Sequence, residues 1–234
     1  MSWETWLTLI LLILLIIFTV LLVGKYNVKP RYSSGKLVAR IAIFAAISSI
    51  LYIVPIFNFN LPFLPSFLSI HFDEIPLFIC GFAYGPWAGI AATIVKTLLK
   101  LPFTSTLGVG ELSDLIFTAA FLLPTTLIYR KMRNLKGVGI GFAVGMVCQL
   151  IVSVLMNIYV MLPFYMFVMG LPYEAILSMC QLVNPMVTDL SWPYALFCVL
   201  PLNLIKDAAV ILVTFIVYRK IHIVLRFETK KAEQ

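Results

Sequence analysis

The chain has 234 residues, 62% hydrophobic and 12% charged, with 17 Lys and Arg against 10 Asp and Glu for a formal net charge of +7; its mean hydropathy is +1.05. A surface that faces water usually needs about 25% charged residues, so an ordinary soluble domain is excluded. Roughly six or seven apolar spans of about 20 residues would use almost the whole length, leaving none for a separate soluble catalytic unit.

The first apolar run, residues 7–23, is preceded by Glu4, lacks an Ala-x-Ala cleavage site and is followed by Lys25. A secretory signal peptide has the opposite flanks. Residues 1–35 are therefore predicted to form a retained signal-anchor helix and basic linker, with the N-terminus outside the cell. Further apolar runs follow at 37–57, 73–101, 112–130, 137–161 and 192–218.

Fourteen of the 17 Lys and Arg residues cluster in three short stretches: Lys25 to Arg40, Arg130 to Lys136, and Arg219 to Lys231. Cations confined to short loops beside spans mark the cytoplasmic side of a membrane, so nucleic acid is not an expected partner. The first two clusters must share a side, which requires an even number of crossings between them. Counting 73–101 as one helix gives three; breaking it at the turn dipeptide Gly85-Pro86 gives four. Segments 73–85 and 86–101 are thus expected as two short antiparallel helices, packed where neighbours satisfy their ends. Loops 58–72, 102–111 and 162–191 carry no Lys or Arg and are expected outside. The result is an all-α membrane protein with a six-helix core at 36–227, one extra N-terminal helix, and a cytoplasmic tail at 228–234.

Gly81 with Gly85, Gly141 with Gly145, and Ala42 with Ala46 are small-xxx-small pairs, which let helix backbones approach closely in a membrane. Internal packing is expected for the glycine pairs. Ala42 and Ala46 fit either packing or an exposed docking face. The four cysteines show no paired spacing and read as small buried hydrophobes.

An ionisable side chain inside a span costs about 2.5–3.5 kcal/mol on insertion scales and is a functional candidate by default. Asn203 and Lys206 stand three apart on one face of the last helix, and Asn157 sits at a similar outer level of 137–161. Amides supply a donor beside an acceptor, and an ammonium group supplies donors only. Together they suit a planar heterocycle with an imide-like edge. The bland alternative has the asparagines bridging helices and Lys206 pairing with Glu111 or Asp114. Lys96 has the same two carboxylates as candidate partners. His71, Asp73 and Glu74 open a short helix, where carboxylates also favour the dipole; with only two histidines in the chain, a histidine-based metal site is not expected. The loop Thr104-Ser-Thr-Leu-Gly-Val-Gly-Glu111 lacks the Lys-Ser/Thr of a phosphate loop and reads as a substrate-covering segment. Tyr159, Tyr165, Tyr173, Trp192 and Tyr194 form an aromatic belt or stack on a flat ligand. No ATPase motif, nucleophile–base dyad or zinc helix appears, so no enzymatic activity and no resident cofactor are expected.

Five segments carry a family resemblance: Ser69-Ile-His-Phe-Asp-Glu-Ile-Pro76; Gly81-Phe-Ala-Tyr-Gly-Pro-Trp-Ala-Gly89 with Val95-Lys96; Gly108-Val-Gly-Glu111; Met156-Asn-Ile-Tyr-Val-Met-Leu-Pro-Phe-Tyr165; and Leu200-Pro-Leu-Asn-Leu-Ile-Lys206. In this order they resemble the substrate-binding (S) components of energy-coupling-factor (ECF) transporters, of the riboflavin type, from Lys36 to Phe227. The resemblance implies a six-helix fold with a vitamin pocket near the outer face. It implies riboflavin as the transported ligand, with Asn157, Asn203 and Lys206 on the polar edge of the flavin, and Glu74, Thr104 and Tyr165 beside them. It also implies an energising module of one transmembrane coupling subunit and two ATPase subunits, contacted through Ala42 and Ala46. The chain departs from the family pattern where His-Phe-Asp-Glu stands for the usual Asp-Phe-Ser-Asp, and where Asp114 replaces a common Asn.

Overall fold

The computed structural model describes residues 34–60 and 69–231. The expected anchor helix at 7–23 and most of the 58–72 loop lie outside the described residues. Helix α1 (Ser34–Ile53) leads through a 3-10 turn (Pro55–Phe57) to a two-residue antiparallel ladder, Phe59–Asn60 with Ser69–Ile70. Then come α2 (Glu74–Tyr84), α3 (Pro86–Lys100), α4 (Val109–Met132), α5 (Leu135–Met156), α6 (Leu162–Phe167), α7 (Tyr173–Val183), α8 (Trp192–Tyr194) and α9 (Leu200–Lys231). Among the described residues, four helical stretches are long and apolar enough to cross a membrane: Gly35–Ile53, Val109–Met132, Leu135–Phe167 and Trp192–Lys220. The all-α membrane architecture is therefore present.

The 73–101 run is broken where charge parity required. Gly85 adopts φ +100° and ψ 169°, a backbone state open to glycine and strained for other residues. Pro86 then begins α3 at a position where its missing N–H is not needed. The two short helices fold back on each other: Gly81 and Gly89, each four residues from the break, are so close that a Cβ on Gly89 would lie 3.3 Å from the Gly81 Cα.

The glycine pairs do pack internally. On α5, a Cβ at Gly141 would lie 2.6 Å from the Thr125 carbonyl oxygen, and one at Gly145 would lie 2.5 Å from the Phe121 carbonyl oxygen. This contact makes α4 and α5 the most extensively packed helix pair. Pro124 sits inside α4, and the hydroxyls of Thr125 and Thr126 donate to the carbonyls of Phe121 and Leu122, both at 2.7 Å, one turn below. Below these, Phe78, Phe82, Phe121, Phe142, Tyr129 and Tyr218 interlock edge to face, and the Tyr218 hydroxyl donates to that of Tyr129 at 2.8 Å.

Two features differ from the sequence expectation. Leu162-Pro163 looks like a helix stop, yet α5 passes into α6 through a π-helical turn, Asn157–Met161. There the Leu162 N–H bonds the carbonyl five residues back, on Asn157, and the widened turn relieves the clash that a proline ring makes with the carbonyl of an ordinary α-turn. Leu200-Pro201 repeats the device: a second π-turn, Ala195–Val199, joins α8 to α9, with the Leu200 N–H on Ala195. The 162–191 stretch, expected as a loop, also contains α7, which buries Ile176 and Cys180. At 11 residues it is too short to register as a span.

Replacing Gly145 by Ala is expected to cost about 1–3 kcal/mol through overpacking against α4. Gly139→Ala, inside the same helix with nothing within 4 Å, is expected to stabilise by about 0.5–1 kcal/mol through helix propensity alone. Thermal unfolding in detergent checks the difference.

Candidate functional site

The ladder end of the bundle holds a buried ionic network. Its centre is Lys96 on α3, fully buried, whose ammonium donates to Asp73 Oδ2 at 2.5 Å and Asp114 Oδ2 at 2.6 Å. The hairpin explains the first contact, since Asp73 and Lys96 stand at similar distances on either side of Gly85. Asp73 also pairs with His71 Nδ1 through its other oxygen, and its backbone carbonyl accepts from the Ser48 hydroxyl of α1 at 2.6 Å. The Lys96 ammonium further lies 4.6 Å from the centre of the Tyr52 ring, a cation–π contact.

Lys206 on α9 extends the network. Its ammonium lies 2.8 Å from Glu74 Oε1 and 3.8 Å from Asp114 Oδ1. The Thr118 hydroxyl reaches the same Glu74 oxygen at 3.4 Å. Asp114 thus stands between the two lysines, as the sequence allowed. Glu111 does not pair with either lysine: its Oε2 accepts from the hydroxyls of Thr104 at 2.7 Å and Thr106 at 3.2 Å. Thr104 Oγ1 in turn accepts from the backbone N–H of Thr106 and Gly108, so the glycine-containing loop is closed on itself through hydroxyls and one carboxylate.

Beside the ions runs a row of polar side chains. Gln149, Ser153 and Asn157 recur every fourth residue and line one face of α5. Gln149 Nε2 donates to Asn203 Oδ1 at 2.8 Å, and the Tyr194 hydroxyl donates to Asn157 Oδ1 at 3.4 Å. The earlier residue of the first helix meets the later residue of the second, so the two run antiparallel. Asn157 Nδ2 and Asn203 Nδ2 each bond a carbonyl one turn back, on Ser153 and Val199. Asn157, Asn203 and Lys206 are all buried, each 5% exposed.

Several acceptors remain open in this region: Glu74 Oε2, Gln149 Oε1 and both oxygens of Asp207 are buried without a hydrogen-bond partner. A buried polar atom left unpaired costs about 1–3 kcal/mol, so these atoms are where a ligand's donors would be stabilised. Sequence reasoning passed over Gln149 and Asp207. The signal for Gln149 was its eight-residue, two-turn spacing to Asn157, and for Asp207 its charge within an apolar run. Tyr194 was grouped with the aromatic belt but is buried, whereas Trp192 and Tyr173 are exposed. Tyr165 is half-buried, packed against the cluster of α7 and the second π-turn. Ala42 and Ala46 lie apart from the site, exposed on α1.

The profile of the family described as "ECF transporter, substrate-specific component" matches residues 36–218. The chain belongs to this family. This S component is similar to the riboflavin transporter FmnP of Bacillus subtilis (strain 168), 27% identical over 187 residues that cover 79% of this chain and 92% of that protein. It is also similar to the riboflavin transporter RibU of Staphylococcus aureus (strain TCH60), 27% identical over 182 residues, 78% of this chain and 89% of that one. Its fold matches a solved S component of a bacterial ECF transporter with a TM-score of 0.64 and 26% identity, over 82% of this chain and 99% of that one.

Within this S component the network predicts an asymmetry. Lys96→Met leaves Asp73 and Asp114 facing each other without the cation that joins them and is expected to destabilise by about 3–5 kcal/mol, the cost of breaking a buried pair. Lys100→Met, at a half-buried position at the end of α3, is expected to cost under about 1 kcal/mol. Unfolding midpoints of the purified variants check this.

Proposed function

We propose that this S component captures riboflavin at the outer face of the cell membrane and delivers it to an ECF energising module. That module would comprise a transmembrane coupling subunit and two ATPase subunits. The observation that carries the proposal is the alignment of Asn157, Asn203 and Lys206 on two adjacent antiparallel helices, buried and beside open acceptors. The edge of a flavin ring alternates carbonyl acceptors with an imide donor, which the paired donors and acceptors of amides and the donors of an ammonium group complement. The ribityl hydroxyls are donors, and Glu74 Oε2 and Gln149 Oε1 are free to accept from them. The names of the two curated relatives support the same ligand.

The charge of the site favours riboflavin over FMN. Asp73, Glu74 and Asp114 share two lysines, so a phosphate would meet surplus negative charge at low dielectric. The basic clusters orient the ladder end outward and the C-terminus to the cytoplasm, which would put the N-terminus outside if 7–23 spans.

Riboflavin fluorescence is expected to be quenched on titration with the purified protein, and FMN is expected to bind at least about tenfold more weakly. Asn203→Ala is expected to weaken riboflavin binding by about 1–3 kcal/mol. A protein that leaves flavin fluorescence unchanged would refute the proposal; equal binding of both flavins would make the ligand a flavin ring without regard to its tail.

Helix α1 supports the docking half of the proposal. Only 17% of its span is buried, against 39–44% for the other three spans, and Ala42 and Ala46 lie on its exposed side with Val38, Ile43, Ile47 and Ile50. Small residues on a bare face admit a partner helix closely. Ala42→Leu with Ala46→Leu is expected to leave riboflavin affinity unchanged while sharply lowering riboflavin uptake by cells and co-purification of the coupling subunit.

A further inference from the structure

Helix α7 divides its surface into three. Ile176 and Cys180 are buried in the apolar cluster that also holds Tyr194, Ala195 and Leu202. Glu174, Ser178 and Gln181 are exposed and polar, whereas Ala175, Met179 and Leu182 are exposed and apolar. At about 100° per residue, each set falls within a sector of roughly 60° or less, and the apolar sector lies between the polar and the buried ones. The polar stripe makes local bonds: the Ser178 hydroxyl donates to the Glu174 carbonyl one turn back, and Gln181 Nε2 to the Val187 carbonyl at 3.0 Å. The apolar stripe is bare, with Leu182 86% exposed. A helix with water on both open sides carries polar residues on both. This one does not. It is also tethered beside the ends of two spans, Leu135–Phe167 and Trp192–Lys220, whose end residues Phe167 and Trp192 are themselves exposed. The joining segments, 168–172 and 184–191, fold back rather than extend: the Leu171 N–H bonds the Tyr165 carbonyl at 3.1 Å, and the Leu190 N–H bonds the Tyr173 hydroxyl at 3.1 Å. Helix α7 therefore lies at the level where these two spans leave the bilayer.

We propose that α7 is an interfacial helix seated in the outer leaflet of the membrane. Met179 and Leu182 enter the acyl chains, Glu174 and Ser178 face water, and Ile176 and Cys180 rest on the bundle. Three sectors of different chemistry are what a helix needs when it has protein beside it, lipid below it and water above it. Burial of the apolar stripe holds such a helix at the boundary between headgroups and acyl chains. Residues 162–191 contain no Lys or Arg, so the seat depends on apolar contact rather than on anionic headgroups. Trp192 and Tyr173, exposed on either side of the helix, belong to the residue types that favour this level. The seat bears on the site because the cluster beneath α7 includes Tyr194, whose hydroxyl donates to Asn157. With one face on protein and one on lipid, α7 is held over that cluster by the membrane as well as by the fold.

The effect on ligand release rests on the riboflavin reading; the lipid seat does not. Spin labels are attached to the full-length protein in phosphatidylcholine nanodiscs through Glu174→Cys, Ser178→Cys, Met179→Cys or Leu182→Cys, one at a time. Each variant carries Cys148→Ala, because the other three native cysteines are buried. Oxygen, which concentrates in the bilayer, is expected to relax the labels at 179 and 182 more than a water-soluble nickel chelate does. The order is expected to reverse at 174 and 178. Dominance of nickel at 179 and 182 would overturn the seat, and so would labels there that neither reagent reaches, which would mark a protein partner or a second copy. A second measurement reads what the seat does. Met179→Gln with Leu182→Gln is expected to speed cleavage by added protease within 184–191 about tenfold in the same nanodiscs, as local opening becomes easier. Glu174→Gln with Ser178→Ala is expected to leave cleavage unchanged. Riboflavin dissociation is expected to speed by about tenfold in the first pair alone, as when lid opening limits release. Equal cleavage in both pairs would overturn the role of lipid in holding α7. If the protein fails to bind riboflavin, the functional reading falls while the labels and the cleavage still decide the seat.

Discussion

The structure depends on Lys96. An ammonium group wholly buried among membrane-spanning helices is tolerated only with partners at hand, and Lys96 has two carboxylates at 2.5 and 2.6 Å. Those carboxylates come from the start of α2 and the first turns of α4, so one side chain on α3 ties three elements together. Asp114 continues the tie to Lys206 on α9, and Asp73 to α1 through Ser48. The half-length hairpin needs this arrangement. Neither α2 nor α3 is as long as the four spans, and their ends are fixed at the ladder end by charge and at Gly85 by close glycine packing.

The two ends of the bundle then divide the work by chemistry. Toward the ladder the interior is polar: five buried carboxyl groups, two lysines and a row of polar side chains, several with acceptors still open. Toward Gly85 the interior is aromatic, with Phe78, Phe82 and Phe142 at ring distances of 5.0 to 6.2 Å. Close aromatic and glycine packing resists deformation, whereas open acceptors await a ligand. A rigid base under an adaptable, hydrogen-bonding mouth is the arrangement a capture protein requires.

How much of this was legible in the sequence follows from what each inference needed. The split hairpin followed from counting charges and one Gly-Pro pair, and Asn203 with Lys206 from a three-residue spacing; both are local signals. The partners were harder. Glu111 and Asp114 lie one turn apart on α4, yet Asp114 faces both lysines and Glu111 caps its own loop. That choice depends on the rotation of α4 against three other helices. The passage of α5 into α6 was hidden because Leu162-Pro163 carries a stop signal that only the π-turn cancels.

The paired π-turns have a consequence for the phase of the two long helices. Each inserts the equivalent of one extra residue, and one residue of an α-helix corresponds to about 100° of rotation. Deleting a single residue from Asn157–Met161 or from Ala195–Val199 would let the backbone relax to ordinary α-geometry, but it would turn everything on one side of the deletion relative to the other. In the first helix the row of Gln149, Ser153 and Asn157 would lose its alignment with Tyr165. In the second, Tyr194 would no longer face the same direction relative to Asn203 and Lys206. The site is therefore specified as much by angular bookkeeping along two helices as by the identity of the side chains they carry.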